Sequence, residues 1–206
     1  MSQLDWFRNT SWDAKVEAAF FARLARARDK AQYLRIQAST LASSCPRVAL
    51  RLLERYFALG EDFDMAQAHA DRATAYLSLG QVDSAILAYE AALAREATHP
   101  NLLTQAYLEL PFLIATRRLS EHYDRAVAVL ESHKHRLMFP KDRFQWNCAA
   151  ALIRSDQGDR RAAQDYARNA LAASTETNSG FRYHPKVGLV TSTDDALFRR
   201  LSKLAI

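Results

Sequence analysis

The segment SGFRYHP, residues 179–185, sets a guanidinium, a phenol and an imidazole side by side at Arg182, Tyr183 and His184. Arg182 can fork onto a carboxylate or a phosphate, so the cluster can form one wall of a binding site. The same residues also suit a loop pinned to the fold, with Phe181 and Tyr183 packed on the last helices and His184 satisfying loop carbonyls. An enzyme would have to draw on His184, Arg182 and Glu109, brought together in one pocket. Other chemistry lacks its local pattern. The five glycines are isolated, so no G-x-G-x-x-G or G-x-x-x-x-G-K phosphate loop is present, and G-x-S-x-G and H-E-x-x-H are absent too. His133 and His135 stand two apart, which on a helix turns them to nearly opposite sides, a poor arrangement for one metal ion. Cys45 and Cys148 fall within separate helical patterns and read as reduced thiols rather than a disulfide. The expectation is a protein without catalysis, metal or cofactor.

The elements that would position these residues are helices. Of the 206 residues 49% are hydrophobic and 25% charged, and Gly and Pro number only five each, a balance that excludes a disordered chain and favours an all-α domain. Gly60, Gly80 and Gly158 follow apolar-periodic segments, where a helix end suits a residue tolerant of a left-handed backbone. Pro46, Pro100 and Pro140 precede new segments, as at a first helical position. Capping-box pairs at Thr10/Asp13, Asp29/Gln32, Asp64/Gln67 and Ser192/Asp195 add further starts. These marks predict helices near 12–27, 30–43, 46–59, 65–79, 82–96, 101–118, 121–137, 141–157, 160–174 and 194–204. Only KVGLVTS, 186–192, hints at a strand, and residues 175–193 form one long irregular stretch. Apolar runs are broken by charge before a membrane-spanning length, and the first residues lack the pattern of a secretory leader, so a cytoplasmic protein is expected.

Within these helices a period appears. Ala49, Ala85, Ala126 and Ala163 recur at separations of 36, 41 and 37 residues, each on the second helix of a pair. That is the signature of an α-solenoid. Between residues 66 and 99 the pattern is closest: Ala73 and Tyr76, then Gly80 at the turn, then Ala85, Tyr89 and Ala92. Small residues let two helix axes approach, and the aromatics fill the wedge between neighbouring pairs. This resembles a tetratricopeptide repeat. A second unit is similar at Trp146, Ala149, Ala150, Ile153, Gly158, Ala163, Ala167 and Ala170. Two more are degenerate: Tyr33 or Leu34 with Ala49 and Leu53, and Tyr107, Leu110 and Ile114 with Tyr123, Ala126 and Leu130. Pro111 departs from the family pattern and is expected to bend or interrupt its helix. The whole reads as about four antiparallel helix pairs over 30–174, within one structural domain. A capping helix lies on each side, in 1–29 (Val16, Phe20, Leu24, Ala27, with Trp6 and Trp12 stapling the entry) and 175–206 (Leu197, Phe198, Leu201, Leu204).

The resemblance implies a non-enzymatic interaction module that holds a peptide or partner protein against the first helices of its pairs. The polar stripe of those helices comprises Arg35 and Ser39; Gln67, Asp71, Thr74 and Ser78; Gln105, Glu109 and Thr116; and Asn147 and Arg154. The Lys/Asn cluster with which some family members grip a chain-terminal carboxylate is missing. A second reading is an immunity- or inhibitor-type protein that covers a toxin or enzyme of the same genome. The net charge of +5 is concentrated between Arg8 and Arg35, where seven basic residues face three acidic ones. Arg23, Arg26 and Lys30 can share one helix face there, but acids interrupt the run and no nucleic-acid module accompanies it. A solvated face is expected, with nucleic acid and membrane not among the partners.

Overall fold

A computed structural model describes residues 5–60, 63–191 and 194–206. Among them there are ten α-helices and no strand: α1 (Ala14–Arg26), α2 (Lys30–Leu41), α3 (Pro46–Phe57), α4 (Met65–Ser78), α5 (Val82–Thr98), α6 (Ala106–Arg117), α7 (Tyr123–His133), α8 (Pro140–Asp156), α9 (Arg160–Ser174) and α10 (Asp195–Leu204). The all-α class is therefore the observed one. None of these helices is long and apolar enough to cross a membrane.

The helix ends follow local chemistry where that chemistry is local. Pro46 and Pro140 each take a first helical position. Gly80 and Gly158 close α4 and α8 with φ of 72° and 85°. Each donates its N–H three residues back, and the following residue donates five back, Gln81 to the Tyr76 carbonyl and Asp159 to that of Arg154. These paired bonds satisfy carbonyls that the helix end would leave open. α6 stops the same way with Arg118 in the left-handed place, at φ 55°. Asp29 caps α2 through the Gln32 N–H.

Several expected boundaries move. Asp13, not Thr10, caps α1, accepting from the Val16 N–H at 2.8 Å. Asp64 precedes α4 but makes no capping bond, because its carboxylate is held by Arg35. Ser192 lies outside the described residues, and Asp194 caps α10. Pro100 does not open a helix. α6 begins only at Ala106, since buried Glu96 accepts from both the N–H and the hydroxyl of Thr104, at 2.7 and 2.5 Å, and Thr104 in turn accepts from the Ala106 N–H. The segment expected over 121–137 is a shorter α7 flanked by 3₁₀ turns at Ser120–His122 and Lys134–Arg136. Pro111 lies inside α6 without interrupting it; one turn from the helix start, it removes a single backbone bond. Residues 186–191 form no strand.

Contacts divide the chain into two compact units, Met1–Ala106 and Tyr107–Ile206. In the first, α2 packs on α3 and α4 on α5, while α4 also meets both α2 and α3. Two helix hairpins are thus layered one on the other. Ala49, Ala73, Ala85 and Ala92 are fully buried, as the close approach of axes requires, with Tyr89 only 3% exposed among them. α1 lies on α2, where Trp6, Phe7, Trp12, Phe20 and Tyr33 form one aromatic cluster. Trp6 and Trp12 both meet Phe20, as the stapled entry anticipates.

In the second unit α8 packs on α7 and α9, and α10 lies across α8 and α9. Ala149, Ala167 and Ala170 are fully buried there, as are Ala126 and Ile153. Phe198 of α10 stacks on Phe144 at 5.4 Å, and Leu197 and Leu201 are buried. Asp156, at the end of α8, accepts from the Tyr123 hydroxyl at 2.7 Å and from Arg200 at 3.0 Å. Burial and the Asp156 carboxylate push the Tyr123 phenol up to about 12, so it stays a donor across the neutral range. Burial likewise raises the Cys148 thiol to about 12, which leaves it protonated and inert. Cys45 is also a free thiol.

Candidate functional site

Four of the polar residues picked from the sequence meet at the joint between α2 and α4. Asp71, 6% exposed, accepts from Ser39 Oγ at 3.1 Å, Gln67 Nε2 at 3.0 Å and Arg35 Nη1 at 3.4 Å. Arg35 Nε also donates to Asp64 at 2.9 Å. α2 supplies Arg35 and Ser39 one turn apart, and α4 supplies Gln67 and Asp71 with the same spacing, so two facing ridges close on one carboxylate. Burial raises the Asp71 pKa, while the bonds from Gln67, Arg35 and Ser39 oppose the rise without cancelling it. The helical spacing predicts an Asp71 that presents its charge in an open groove. It is instead a buried tie between layers, because Arg35 and Ser39 cover it from a helix some thirty residues away in sequence.

Beside this network opens a cleft of about 220 Å³, lined by Phe63, Asp64, Gln67, Leu102, Leu103 and Thr104 among others. Phe63 is 74% exposed and Leu103 62%, and these two large apolar side chains line the same cleft. Further along α4, Thr74 donates to the Ala70 carbonyl and exposed Ser78 to that of Thr74, so both hydroxyls spend their protons on their own helix. Gln105 is exposed in the turn before α6 rather than on a helix face.

The residues picked in the second unit form no comparable cluster. Thr116 bonds back to the Phe112 and Leu113 carbonyls, Asn147 to that of Arg143, and Arg154 to Gln157 Oε1 just past its own helix. Glu109 is half-buried on α6. In the loop, Phe181 stacks on Phe139 at 5.2 Å, and Lys141 donates its N–H to the Gly188 carbonyl at 2.8 Å. Phe181 therefore pins the loop to the start of α8. Tyr183 does not: it is 80% exposed, with the Arg182 guanidinium over its ring at 5.4 Å. Nor, among the described residues, does the His184 imidazole bond to a loop carbonyl; the loop is closed instead by the Ser179 hydroxyl and N–H, which donate to the His184 and Pro185 carbonyls.

Gly188 is the hinge of that docking. Its φ is 69°, and a Cβ there would overlap the Phe139 side chain. Gly188→Ala is expected to lift the loop off α8 at a cost of about 1–3 kcal/mol. Faster proteolysis and amide exchange within residues 175–191, with the α8–α9 core still protected, are the readouts; unchanged exchange would show that the loop is not held there.

Among the polar groups that the sequence patterns do not mark are buried Asp142 and Glu96 and half-buried His69. Asp142, 5% exposed, accepts from the N–H groups of Met138 and Phe139 ahead of α8. Glu96 holds Thr104, as above. His69 of α4 stacks on Phe57 at 4.7 Å with its buried Nδ1 lacking a hydrogen-bond partner, and burial, then Arg72 and Arg95, lower its pKa. Only the i,i+3 spacing of Asp142 from Phe139 carries a usable signal, half of a capping box. Among the described residues no three His, Cys, Asp or Glu side chains converge as metal ligands would. Compared with protein-family models, characterised proteins and solved structures, the chain has no match.

Proposed function

We propose that this protein is a non-enzymatic interaction module of tetratricopeptide-like design, which holds an extended peptide segment of a partner protein. The observation that carries the reading is the cleft lined by exposed Phe63 and Leu103, set beside the Arg35–Asp71 network. Its volume suits one or two side chains rather than a metabolite, which would ask for roughly 300 Å³ or more. An apolar side chain of the peptide enters the cleft, and the peptide backbone runs along the α4 face past Thr74 and Ser78. The network keeps α2 and α4 in register, so the surface is preorganised before the partner arrives. Layered hairpins with alanines at the close contacts support the same design, as does the resemblance of residues 66–99 to the repeat.

The experiment is capture from the native host lysate with wild type and with a Phe63→Asp, Leu103→Asp double variant. Both side chains are exposed, so melting should shift by no more than about 1 kcal/mol. Loss of an anchor in an apolar cleft typically weakens binding about thirtyfold, about 2 kcal/mol. The expected result is a partner retained by wild type and lost by the variant. Retention of the same proteins by both would remove the cleft from the mechanism.

A further inference from the structure

On α1, away from that cleft, a cavity of about 360 Å³ is lined by Trp6, Arg23, Arg26, Ala27 and Tyr33. Its aromatic wall is fixed in advance. The Trp6 and Tyr33 rings lie 4.9 Å apart, with Phe20 behind Trp6 at 5.4 Å and Phe7 behind Tyr33 at 4.7 Å. The segment that carries Trp6 is tied down through Asn9, whose side chain donates to the Trp6 carbonyl and whose backbone exchanges two hydrogen bonds with the fully buried Gln37. The cavity's charge is uncompensated: neither Arg23 nor Arg26 has an acidic or hydrogen-bonding partner among the described residues, and no acid lines the cavity. A second cavity, about 530 Å³, shares Ala27 with the first and is lined by Arg28, Asp29 and Lys30. The carboxylate of Asp29 is engaged in capping α2, while Arg28 and Lys30 likewise lack partners among the described residues.

Two rings and two unpaired guanidiniums around one opening match a planar base carrying a phosphate. We infer that this cleft binds single-stranded nucleic acid. One base rests against Trp6 and Tyr33, its phosphate lies between Arg23 and Arg26, and the neighbouring phosphate passes to Arg28 and Lys30. Charge alone suggests a solvated face; the aromatic wall at the same opening is what revises that expectation.

The test is fluorescence anisotropy of the full chain with a labelled single-stranded oligonucleotide of about ten residues at about 50 mM salt. Arg23→Ala, Arg26→Ala should weaken binding about tenfold or more and flatten the slope of log K against log salt by about 0.7, for the one phosphate no longer neutralised. Both arginines are exposed, so the fold is kept. An abasic oligomer of equal length should bind wild type about tenfold more weakly, which isolates stacking without altering the protein. Any of four results would overturn the inference. They are no binding at low salt, equal affinity for the abasic oligomer, equal competition by a polyglutamate peptide, or a mononucleotide that binds as tightly as the oligomer.

Discussion

Replacing Ala85 or Ala92 with tryptophan is expected to cost unit 1 at least about 1–3 kcal/mol, whereas Ala94→Trp on the same helix should stay within about 0.5 kcal/mol. Ala85 and Ala92 have no exposed surface, and α5 packs along α4 through the face that they share with Tyr89. An indole at either place cannot rotate into solvent; it must push α4 and α5 apart, and Tyr89 between them loses the fit that a close-packed interior demands. Ala94 is exposed, so the same indole there meets water. The three variants have the same composition, which removes trivial effects of the added side chain. Urea midpoints separate them, and equal midpoints would mean that the alanine frame does not mark the helix contact.

The same alanines explain how far the fold was legible. A small residue repeated on a helix face reports a neighbour at close range, and a glycine after the periodic run reports the stop, both within one turn of the residue concerned. Hence α4, α5, α8 and α9 appear in the sequence almost as they stand, ends included. The start of α6 does not, because it depends on the carboxylate of Glu96 capturing Thr104 from the preceding helix. Arg118 takes a place where the pattern looks for glycine and so gives no local warning of its left-handed backbone. The candidate site was half legible for a related reason. Helical spacing puts Arg35, Ser39, Gln67 and Asp71 on inner faces, and they do meet. Whether a polar residue on such a face is open or covered is decided by the opposing helix, and spacing within one helix carries no information about that. Phe63 and Leu103 are invisible as a pair in the sequence because one precedes α4 and the other follows α5, and only the closed hairpin brings both to the lining of one cleft.

Reversing the charge of Asp71 is expected to cost about 3 kcal/mol or more, the loss typical of a buried pair that keeps only one partner. Asp71→Lys would set an ammonium beside Arg35 at a site 6% exposed and leave Ser39 and Gln67 without their acceptor. Arg35 retains Asp64 at 2.9 Å, which holds the cost near the lower end of the usual range. Asp71→Asn tests the charge alone, since it keeps the shape and one acceptor oxygen. The sign of its pH dependence follows from the raised pKa of the native carboxyl. Above the ordinary value of 3.8, the native state holds this proton more tightly than the unfolded chain, so wild-type stability falls as pH rises through the native pKa. Asparagine has no such proton. Its stability relative to wild type should therefore improve between about pH 3 and pH 7, by an amount equal to the net burial cost that Arg35, Ser39 and Gln67 fail to offset. Thermal melts of the two proteins across that range decide the matter. A difference that stays flat, or that moves in favour of wild type as pH rises, would mean that the three donors outweigh burial and that the network is held by its charge rather than in spite of it.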